Sequence, residues 1–87
     1  MATRQSIDEV LQQCENAIRK AEEQYREASR LEHYNDVEYA EAMMELEKAY
    51  NDLAKIALSA NSQQREQLHR MRLQLQQVQN NMTLQLH

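Results

Sequence analysis

Apolar residues recur along this chain with the 3.6-residue period of a helix, in three separate stretches. In the first, Ile7, Leu11, Cys14, Ile18, Ala21, Tyr25 and Ala28 stand at alternating intervals of four and three, and Val10, Ala17 and Leu31 widen the stripe. The opposite side pairs Glu15 with Arg19 and Glu22 with Arg26, acid first, the orientation that best supports a helix. Ser6-Ile7-Asp8-Glu9 has the form of a capping box, which predicts a helix start at Ser6. The second stripe is Tyr39, Met43, Leu46, Tyr50, Leu53, Ala57 and Ala60, broadened by Ala40, Ala49 and Ile56. Between the two, His33-Tyr34-Asn35-Asp36 breaks the pattern, and Asn35 and Asp36 are cap-type residues that predict a new start.

From Asn61 to Gln67 nothing is apolar, and the third stripe of Leu68, Met71, Leu75, Val78 and Met82 returns with its phase displaced by four residues. Such a slip is a turn or a stutter within one continuous helix. Asn61 or Ser62 can cap a new helix, so the break is the preferred reading. The pattern thus predicts helices over about 6–32, 36–60 and 62–86 within a single domain, 1–87. Segments of roughly 25 residues are about 37 Å long as helices. Matched lengths with short connections predict an all-α, antiparallel three-helix bundle. The alternative is a helical hairpin with a long second helix that forms a coiled-coil dimer.

Composition strengthens the helical reading. The 87 residues contain no Gly and no Pro, which removes the usual means of building tight β-turns. The residues that remain are rich in good helix formers. Tyr is the only aromatic type, at four copies, and much of the apolar content is Ala, so the core is small and self-association is expected. Cys14 is the lone cysteine and has no partner for an internal disulfide, which fits a reducing compartment. No apolar run approaches the roughly 20 residues of a membrane span, and the opening residues carry no apolar signal core. The chain reads as cytoplasmic, with no membrane partner.

The net charge of −4 is unevenly spread: residues 35–60 carry six acids against two bases, whereas 61–87 carry Glu66 against Arg65, Arg70 and Arg72. The opposite signs suggest that the second and third helices pack against each other, although solvated faces explain them as well.

Candidate chemistry is sparse. Glu66-Gln67-Leu68-His69 matches the Glu-x-x-His element of di-iron bundles, but the Leu68–Met71 seam puts Glu66 and His69 on the outer face, away from any core site. His33 and Asp36 supply two ligands without a third. Cys14 falls on the apolar stripe with no neighbouring base, as a buried hydrophobe and not a nucleophile. With no Gly there is no phosphate-cradling loop, and no catalytic residue, metal or cofactor is expected. Three arginines without an aromatic after Tyr50, in a chain of isoelectric point near 5.3, make nucleic acid an unfavoured partner.

Three strings are also familiar as strings: Met1-Ala2-Thr3-Arg4-Gln5-Ser6, Glu32-His33-Tyr34-Asn35-Asp36 and the long run from Ser59 to Gln76. Together they resemble the YtzC-like family of small uncharacterised proteins from Bacillus and related spore-forming bacteria. The resemblance covers nearly the whole chain and implies a bacterial cytosolic origin. It carries over no catalytic residue, ligand or partner.

The functional expectation is a non-enzymatic helical module for protein–protein interaction, a homodimer that also engages another protein. Leu68, Met71, Leu75, Val78 and Met82 are the expected surface shared between chains. Their heptad seam is too short to stand alone, so it must pair with helices of the same or another chain. The rival reading is a nucleic-acid-associated regulator using the Arg65/Arg70/Arg72 face.

Overall fold

A computed structural model describes residues 2–30 and 36–85, which form three helices: α1 (Arg4–Arg30), α2 (Asp36–Ala57) and α3 (Ser62–Gln85). All three pack against one another, and the described residues contain no strand. Gln13 meets Asp52 and Lys20 meets Glu45, so α1 and α2 run antiparallel. Tyr39 reaches Met82 and Tyr50 reaches Gln76, so α3 runs antiparallel to α2 and alongside α1. This is the up-down-up bundle that the stripes predict.

The helix ends follow from local chemistry. The first helix starts earlier than the Ser6 capping box implies. Thr3 is the cap: its hydroxyl accepts from the Ser6 amide at 3.0 Å, and its carbonyl accepts from the Ile7 amide at 3.1 Å. Glu9 accepts from the Gln5 side chain instead of reaching back to Ser6. The earlier start is held from a distance. The Ala2 amide donates to the Ser59 carbonyl at 2.7 Å, which ties the N-terminus to the α2–α3 turn.

That turn is made without a left-handed residue; no described residue has positive φ. Leu58, Ser59 and Ala60 each donate to the carbonyl three residues back, so α2 tightens and stops at Ala57, short of residue 60. Asn61 then opens α3 with a reciprocal cap: its side-chain oxygen accepts from the Gln64 amide at 2.8 Å, and its amide donates to the Gln64 side chain at 3.0 Å. The break at Asn61 is therefore real, and the continuous long helix is not formed. The caps expected at Asn35 and Asp36, with His33, bear on side chains outside the described residues.

The core runs the length of the bundle. From α1 it takes Ile7, Cys14, Ala17 and Ala21, from α2 Tyr39, Ala42, Leu46, Ala49 and Leu53, and from α3 Leu68, Met71, Leu75 and Met82. Small residues dominate where α1 meets α2: the Cys14 thiol lies 3.9 Å from the Ala49 carbonyl. Two details of the stripes are corrected. Ala42 is buried and Ala40 exposed, because α2 turns its Ala42/Ala49 flank towards the Ala- and Cys-lined side of α1. In α1 the core centre falls on Cys14, Ala17 and Ala21, while Leu11, Ile18 and Tyr25 are half-buried on the flank.

No ion pair between described residues joins α2 to α3, so the opposite charges of those segments do not meet in this fold. The inter-helix pair is Lys20 with Glu45 at 2.9 Å, between α1 and α2; Lys48–Asp52 and Arg70–Glu66 each lie within one helix. All three are partly or largely exposed and are worth little.

Candidate interaction surface

The five residues expected to be shared between chains face inward. Leu68, Leu75 and Met82 are fully buried, Met71 nearly so, and Val78 is half-buried against the same cluster. Of the two ways to satisfy the seam, this fold uses the intramolecular one: α3 adds its large Leu and Met side chains to Ile7, Tyr39, Leu46 and Leu53 around the Ala-lined contact of α1 with α2. Tyr39 anchors the far end, its buried hydroxyl donating to the Met82 carbonyl at 2.6 Å.

What the fold leaves outside is a different set. Val37, Met44, Leu58, Leu73 and Leu84 are large apolar side chains exposed to solvent. None belongs to a core stripe. A signal for three of them exists in the sequence, since Val37, Met44 and Leu58 share one heptad position.

The basic residues divide. Arg70 is paired with Glu66 at 2.9 Å on the outer side of α3. Arg65, His69 and Arg72 line a groove of about 340 Å³ between α3 and α2, whose floor includes Tyr50, Leu53, Ala57 and Leu68. The three arginines therefore do not form one face. A second groove, of about 390 Å³ between α1 and α3, has Ile18, Tyr25, Val78 and Met82 among its walls.

No group of three or more metal-ligating side chains is present among the described residues. Glu66 and His69 are both exposed, and Glu66 is engaged by Arg70. Cys14 is fully buried, and burial first, then the carboxylates of Asp52 and Glu15, pushes its thiol up to about 11. Such a thiol stays protonated and unreactive near neutral pH. The Asp52 carboxyl is held below its usual range, chiefly by the hydrogen bond from Gln13 at 2.8 Å and then by Lys48. No described helix is long and apolar enough to cross a membrane.

These features define a small all-α three-helix bundle with a sealed core. The chain belongs to the family described as "Protein of unknown function (DUF2524)", whose model matches residues 1–84. It is 66% identical over 85 residues to the "Uncharacterized protein YtzC" of Bacillus subtilis (strain 168), covering 98% of this chain and 94% of the relative. No solved structure matches it.

Proposed function

We propose that this protein is a non-enzymatic helical interaction module of the bacterial cytoplasm that associates with itself and docks to another protein. The observation that carries the reading is the contrast between a closed core and five large apolar side chains left in water. No buried side-chain polar atom among the described residues lacks a partner, so the core holds no group waiting for a ligand. Polar residues otherwise dominate the surface, and the mean hydropathy is −0.93. The protonated, buried Cys14 supports a structural role for the only thiol.

Nucleic-acid binding has weaker support: Arg70 is committed to Glu66, which leaves Arg65 and Arg72 beside His69. Chemical crosslinking in cells that co-express tagged and untagged copies, which traps weak contacts before capture, tests the proposal. Retention of the untagged copy, with a second protein at a fixed ratio, is the expected result. A tagged copy that retains neither overturns it.

A further inference from the structure

Helix α2 presents its outward side as an incomplete coiled-coil seam. Met44 and Leu58 are exposed at 68% and 85%, and with Val37 and Asn51 they occupy one heptad position. Exposed Ala40, Glu47 and Ala54 occupy the complementary position between them. The α2 helix ends at Ala57, and Leu58 follows in the turn, its amide donating to the Lys55 carbonyl at 3.2 Å. Charge along this side is asymmetric. Glu41 and Glu47 lie in its N-terminal half, Lys55 lies near its C-terminus, and none of the three has an ion-pair partner among the described residues.

We propose that this side of α2 docks a second copy of the chain, with the two α2 helices antiparallel. The inference rests on the reading that the protein self-associates, and it names the surface. A parallel pairing sets Glu47 against its own copy in the seam, and like charges in register oppose association. The antiparallel pairing removes that conflict. It brings Met44 to the partner's Ala54, Leu58 to the partner's Ala40, and the Asn51 amide to the partner's Glu47 carboxylate. On the flank, Glu41 then meets the partner's Lys55, twice by symmetry, while Lys48, held by Asp52 of its own helix, falls opposite its copy at the two-fold axis. The small Ala positions let the backbones approach. Two Glu41–Lys55 contacts outweigh the single Lys48–Lys48 approach, which Asp52 offsets, so the face complements itself in shape and, on balance, in charge. One helix side is a small surface beside the roughly 1,200–2,000 Å² of a stable interface, so a weak dimer is expected.

Sedimentation equilibrium on the intact protein and its variants tests this, with helicity checked by circular dichroism. The residues changed are exposed, so the fold survives. Met44→Glu and Glu41→Lys are each expected to weaken the dimer about tenfold. The double swap Glu41→Lys/Lys55→Glu restores association and keeps the net charge at −4. If Glu41→Lys strengthens association, bulk charge and not this pairing governs it, and the inference is overturned. A dimer indifferent to all three variants overturns the α2 surface while leaving self-association standing. A wild type that stays monomeric at several hundred micromolar overturns both.

Discussion

Cys14 shows how much one side chain can report. Its pKa of about 11 in the fold, against 9.0 for the free group, leaves it about a hundredfold poorer in thiolate at a given pH below both values. Labelling of the folded protein should therefore be slow and should accelerate on unfolding; rapid labelling under native conditions contradicts the packing. The same shift fixes a pH dependence. Below pH 9 the thiol is protonated whether the chain is folded or not, so it contributes no slope. Between 9.0 and about 11 the unfolded chain loses the proton first, so stability falls as pH rises. Urea unfolding at about pH 8 and about pH 10.5 should show a larger loss for wild type than for Cys14→Ala. An equal loss in the two proteins removes Cys14 from the account. The buried position of Cys14 was legible from its place between Leu11 and Ile18. The cap at Thr3 was not, because Ser6 with Glu9 fits the local pattern equally well, and the choice is made by Ala2 bonding to Ser59.

Among the elements, α3 carries the strongest test. Leu75 is fully buried, so Leu75→Glu should cost several kcal/mol, comparable with the stability of a small domain, and unfold the protein instead of merely separating copies. A folded monomeric Leu75→Glu variant places the seam between chains. Asn61→Ala removes one half of the reciprocal cap and should lower stability by about 1 kcal/mol in thermal melts, with Gln64→Ala smaller. No change on removing Asn61 would mean that the break is held by something else. The stripes revealed which residues are buried but not against which chain, since Leu68 to Met82 presents the same face to either partner. The outer stripe of α2 is hard to read in the sequence because Asn51 and Glu47 interrupt it, and because the stronger core stripe shares the helix.

At the scale of the whole molecule, an elongated bundle of 47 × 17 × 15 Å is held by apolar contact with little electrostatic help. The segment charges suggested an α2–α3 attraction that the fold does not use, and its ion pairs are exposed. Raising salt from low to about 1 M should therefore leave the melting temperature nearly unchanged in a range where association is negligible. A steep fall would point to electrostatics that the fold does not display. The central claim is that α3 closes the core of its own chain and leaves the outer side of α2 free for a partner. Isotope-filtered NMR on an equal mixture of labelled and unlabelled protein tests it most directly, through the contact of the Tyr39 ring with Met82. The account predicts that this contact is seen within labelled chains and is missing from the filtered, between-chain spectrum. Its appearance between chains would contradict the intramolecular bundle.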